Sequence, residues 1–99
     1  MSSRELEYWH VDDTCTVMIE HIESVAFVHV ELKIWNVAMQ RKLDVLLDRL
    51  KTKLKNEGHI LLFAYNKCED EQWYRFVKMF GFTKSFVHGG MTVYQTGLA

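Results

Sequence analysis

The sequence predicts an α/β (α+β) fold: helices packed on one mixed β-sheet, in the order β-β-α-β-α-β-β. Three observations carry that prediction. Residues 25–35, VAFVHVELKIW, alternate: Ala26, Val28, Val30, Leu32 and Ile34 share one face, and Phe27, His29, Glu31 and Lys33 share the other. This is the period of a half-buried strand. Residues 36–56 switch to spacings of three and four, the period of an amphipathic helix. The apolar run HILLFAY, 59–65, lies between that helix and a second one, so a parallel strand pair forms the centre of the sheet.

Taken in order, residues 1–12 mix charge and aromatics without a clear period, and Tyr8, Trp9 and Val11 are expected to pack on a neighbouring surface. β-Branched content from Cys15 to Ile19 reads as a strand, and His21 to Ser24 as the turn into the alternating strand. In the long helix Leu43, Leu46, Leu47, Leu50 and Leu54 form one stripe, Asn36 is the N-cap and Gly58 the residue just past the end. Lys51, Lys53 and Lys55 complement the helix dipole, which explains the basic run without a ligand. HILLFAY suits a central strand covered on both faces. In CEDEQWYRFVKMFG, 68–81, Trp73, Phe76, Val77 and Phe80 make the buried stripe, Asp70 the N-cap and Gly81 the stop. Phe82 to His88 and Met91 to Thr96 form a hairpin around Gly89-Gly90. One domain spans 1–99, with 1–12 as an N-terminal segment and 14–96 as the core.

Composition narrows the function. A formal charge of −1 gives no broad grip on nucleic acid. No apolar run reaches the ~18–20 residues of a membrane span, so no membrane partner is expected. The start, MSSRELEYWHVDD, lacks a secretory leader's pattern, and the expected location is cytoplasmic. Cys15 and Cys68 have no CxxC spacing and are expected as reduced thiols. Acidic neighbours argue against Cys68 as a nucleophile. His10, His21, His29, His59 and His88 show no HxxxH or HExxH spacing, so no metal site is expected.

The segment FVKMFGFTKSFVHGGMTVYQT, 76–96, together with the long helix and apolar strand before it, resembles the C-terminal two-thirds of the GNAT acetyltransferase superfamily. The match runs from Val25 to Thr96. The family's first strand and its pair of helices have no counterpart, so the resemblance implies a truncated, degenerate member. It is similar as well to small phage-encoded acetyltransferase-like proteins. The resemblance implies a glycine loop for the coenzyme A pyrophosphate where Trp35 meets the long helix. Here the junction is KIWNVAMQRKLDV, without glycine, so Asn36, Gln40, Arg41 and Lys42 are the residues that would hold acyl-CoA. The family's tyrosine acid, four residues before the Gly-Phe glycine, falls on Val77, with Tyr74 nearby. Its helix-start asparagine falls on Asp70. His29 and Glu31 stand where members place a base or water relay.

With these departures, the sequence is expected to encode a non-catalytic GNAT-like domain, without cofactor or catalytic residues. It would act by protein–protein interaction in a phage particle or against a host factor. Its partner would be another protein or itself, as a homodimer through a sheet edge or an uncovered face, with Tyr8 and Trp9 at or near the contact. The alternative is an acyl-CoA-dependent N-acetyltransferase with an atypical pyrophosphate loop and acetyl-CoA as its cofactor. A metabolite sensor using the cleft between the two parallel strands is a further rival.

Overall fold

The computed structural model describes residues 4–98. Eight elements follow in order: β1 (Arg4–Val11), β2 (Cys15–Ile22), β3 (Val25–Leu32), α1 (Val37–Asn56), β4 (Leu61–Ala64), α2 (Glu71–Met79), β5 (Thr83–His88) and β6 (Met91–Gly97). The strands form one sheet in the order β1-β2-β3-β4-β6-β5. β3 and β4 are parallel and every other neighbouring pair is antiparallel. The mixed α+β class agrees with the expectation, but the element order gains a strand at the front.

That strand is β1, which the sequence does not announce because its alternation breaks. A register shift between Tyr8 and His10 marks a bulge, which moves the alternation by one residue: Tyr8 pairs with Met18 of the open face and His10 with Val17 of the core face. Tyr8 is exposed, whereas Trp9 packs on the core. The expectation for residues 1–12 is thus corrected for 4–11, while residues 1–3 lie outside the described part.

Both helices lie on one face of the sheet. α1 contributes Leu43, Leu47, Leu50 and Leu54, each almost wholly buried, and α2 contributes Trp73, Phe76 and Val77. They meet Val17 and Ile19 of β2, Ala26 and Val28 of β3, Leu62 and Ala64 of β4, and Tyr94 of β6 in a single core. The opposite face carries Leu6, Tyr8, Met18, Glu20, Phe27, His29, Phe63 and Phe86, brought together by strand register. Nothing among the described residues packs over it. The run 59–65 is therefore covered on one face only, contrary to expectation: Leu62 and Ala64 are buried while Leu61 and Phe63 stay half-open.

Local signals set the helix ends. The Asn36 side chain accepts from the Met39 N–H at 2.8 Å, and that of Asp70 from the Trp73 N–H at 2.9 Å. At the far ends Gly58 and Gly81 take φ of 96° and 77°, which lets the next residue's N–H turn back to Leu54 and Val77 carbonyls. These stops return the chain to the sheet at β4 and β5.

Candidate functional site

The site begins with an interruption in the sheet. β3 and β4 pair only where Phe27 meets Phe63, and beyond that point the two parallel strands separate. Unpaired backbone on both sides of such a gap can hydrogen-bond an extended ligand. Two clefts follow the gap. One, of about 130 Å³, is lined by Val30, Leu32, Trp35, Asn66, Asp70 and Trp73 among others. The second, of about 220 Å³, includes Val28, His29, Glu31, Tyr65 and Asn66.

At this gap stands a hydrogen-bonded cluster of three side chains, two from within β2 and β3 and one just past the end of β4. Glu20 of β2 is 1% exposed despite lying on the bare face. His29 Nε2 lies 2.9 Å from its Oε1, and the Tyr65 hydroxyl donates to the same oxygen at 3.2 Å. His29 also meets Tyr65 edge-on, at 5.1 Å between ring centroids. A carboxylate accepting from Nε2–H fixes the imidazole tautomer with Nδ1 as the proton acceptor. His29 thus has the orientation of a general base, with Glu20 as its positioning partner. Of the two residues at the place of the family's base or water relay, Glu31 is exposed and His29 turns to Glu20.

The other expected residues gather at the N-terminus of α1. Asn36 spends its side chain on the cap and its carbonyl on the Gln40 N–H, leaving the N–H groups of Val37 and Ala38 as open donors. Arg41 is exposed and forms no ion pair among the described residues. Lys42 is engaged: its ammonium binds Asp12 and lies 2.9 Å from the Thr14 hydroxyl. That hydrogen bond to Asp12 raises the Lys42 pKa, and Lys42, Thr14 and His10 together hold the Asp12 carboxyl far below its usual range. A cleft of about 200 Å³ adjoins Thr14, Ile34, Asn36, Ala38, Met39 and Lys42. Exposed Ile34 and Val37 stand where a bare backbone loop would be.

Val77, at the place of the family's tyrosine acid, is buried in the core, and Tyr74 points away at 50% exposure. The Tyr94 hydroxyl donates to Glu69 at 2.6 Å, and burial first, then that partner, pushes its pKa up to about 12. Near the β1–β2 turn, His10, Asp12 and Cys15 bring one ligand atom each within 4.8 Å of one another. Asp12 already accepts from the Thr14 and Cys15 N–H groups, the Thr14 hydroxyl and Lys42. With a lysine cation on the oxygen a metal would use, the cluster is a clamp between the hairpin and α1. Cys15 has its thiol pKa raised by burial, so it stays protonated there.

Neither a protein-family model nor a curated protein matches the sequence. Among solved structures, a crystal structure described as a "putative acetyltransferase" from Agrobacterium tumefaciens is similar over 97% of this chain and 75% of that one. Its TM-score is 0.61 and its identity 16%. The chain therefore has an acetyltransferase-like fold. At that identity the similarity speaks for the fold alone. No helix of the described residues is long and apolar enough to cross a membrane.

Proposed function

We propose that this chain transfers an acyl group from an acyl-CoA-type thioester to an amine. The observation that carries the reading is the Glu20–His29–Tyr65 cluster at the gap between β3 and β4. The residues present fit such a donor in reduced form. The gap offers open backbone to a narrow, amide-bearing arm. The Val37 and Ala38 N–H groups with Arg41 offer a phosphate site, while Lys42 would first have to leave Asp12. Bound acyl-CoA supplies an activated acyl carbon. The chain's own part is to bind the two reactants side by side and to take a proton from the amine at His29 Nδ1. Glu20 holds the imidazole in place through its Nε2. Tyr65 has its proton committed to Glu20, so the departing thiolate draws its proton from solvent.

Thermal unfolding with acetyl-CoA and with free coenzyme A, combined with release of free thiol in the presence of amines, tests this. A dose-dependent rise in Tm and thiol release that disappears in His29→Ala would agree. No shift at millimolar ligand would sink the proposal.

A second reading has its own observation. Leu6, Tyr8 and Phe86, 52%, 64% and 47% exposed, surround a bare apolar sheet face. A truncated, non-catalytic domain, of the kind the phage-encoded resemblance implies, would use that face to bind a protein or a second copy. Trp9 is withdrawn from any such contact, since it packs inward.

A further inference from the structure

The bare face is not flat. A groove of about 530 Å³ runs across it from the β2–β3 turn at Glu23 to the β5–β6 hairpin at His88 and Met91. That volume falls within the ~300–1,000 Å³ of small-molecule sites. Its floor is an aromatic ladder. Phe86 meets Phe63 at 6.2 Å between centroids, Phe63 meets Phe27 at 5.6 Å, and Phe27 meets Tyr65 at 5.7 Å. Tyr65 then meets His29. Tyr65 is therefore a wall shared by the groove and by the cleft that contains the base.

Charge selects the kind of molecule. The groove's lining holds no lysine or arginine. Its one carboxylate, Glu23, sits at the rim in a left-handed backbone conformation, φ 57°. Tyr65 and His88 are its other titratable groups. At the Tyr65 end stand Glu20, held by His29 and Tyr65, and the exposed Glu31. A cation in this groove meets a carboxylate at the Glu23 rim and further carboxylates beyond Tyr65, with an apolar floor between. An anion meets carboxylates and no counter-charge.

We propose that the acceptor is a small primary amine with one aromatic or bulky aliphatic body. The body lies over Phe27, Phe63 and Phe86, and the nitrogen reaches the His29 end past Tyr65. This rests on the acyl-transfer reading for the step that follows, but the binding itself needs no acyl donor. The rings stack the body.

The test is titration of the whole chain, without acyl donor, with 2-phenylethylamine, phenylacetate and ethanolamine, followed by NMR shifts or calorimetry. Saturable binding of 2-phenylethylamine is expected, at least about tenfold tighter than either of the others, a gap of ~1.4 kcal/mol. Phe86→Ser, an exposed edge position, should weaken it about tenfold, and Glu23→Gln severalfold. Equal binding of phenylacetate, or none of 2-phenylethylamine, overturns the proposal. So does size-exclusion chromatography showing a dimer whose Phe86 signals are protected, since a second copy would then occupy the groove. Thiol release with ethanolamine but not 2-phenylethylamine would leave acyl transfer standing and remove this substrate class. Binding without any thiol release would keep the groove's ligand and remove acyl transfer.

Discussion

The two faces of the sheet are built from the same strands and the same alternating residues, yet they have different fates. On the helix side Val17, Ile19, Ala26, Val28, Leu62 and Ala64 are essentially without solvent, because α1 and α2 lie over them. On the other side Phe27, Phe63 and Tyr65 are comparably apolar and remain half-open. The first face holds the core that stabilises the fold, and the second keeps its aromatic surface open to solvent. Alternation states that a strand has two sides. It does not state how many of them another element will cover.

The largest expected effect separates the faces directly. Leu50→Ala removes a wholly buried side chain from α1 and should cost ~2–5 kcal/mol in chemical unfolding. Phe86→Ser, on the open side of edge strand β5, should change stability by less than about 1 kcal/mol. Comparable losses from the two would mean that the open face is covered in solution, and the comparison would fail.

Glu20 is the exception that sharpens the contrast, since it is buried on the open face by its own neighbours. Glu20→Ala leaves the His29 Nε2 and Tyr65 hydroxyl without their acceptor, and should cost ~1–3 kcal/mol. Glu20→Gln keeps an acceptor oxygen and should restore most of that stability. It should lower thiol release all the same, because an amide can donate to Nε2 as well as accept from it and so no longer fixes which ring nitrogen carries the proton. Urea unfolding and the thiol assay on both variants separate a positioning role from a structural one. Equal activity in the glutamine variant and the parent would leave Glu20 a structural group.

Most of this fold is readable from residue patterns. The alternation over 25–32, the leucine stripe and the capping Asn36 and Asp70 sit where they were expected, whereas residues 33–35 leave the strand and Ile34, expected on its buried face, is exposed. β1 escaped because its bulge shifts the alternation between Tyr8 and His10, so no single period of two runs through the strand. The base cluster escaped for another reason. Glu20 pairs opposite Phe27, so it stands diagonal to His29, and only the register of the β2–β3 hairpin reveals this. Tyr65 is 45 residues from Glu20 and arrives through a parallel crossover, which no local pattern encodes. Lys42 was legible as a basic residue at the right turn, but its engagement by Asp12, 30 residues away, was not.

The smallest effect concerns pH and lies on the covered face. Tyr94 is 3% exposed, donates to Glu69 and has its pKa pushed up to about 12, against an ordinary 10. A phenol whose folded pKa exceeds its unfolded one stabilises the fold fully below pH 10. That contribution declines as pH rises from 10 through about 12, because the unfolded chain releases its proton first. At neutral pH the contribution is constant, so nothing would show there. Unfolding free energies between pH 9 and 11 should fall in the parent and fall less in Tyr94→Phe. Tyrosinate absorbance in the folded state should show one ring ionising near 12, lost in Tyr94→Phe. If every phenol titrates together near 10, the seal that α2 makes over β6 is looser than its packing indicates. The covered face would then admit water much as the open one does.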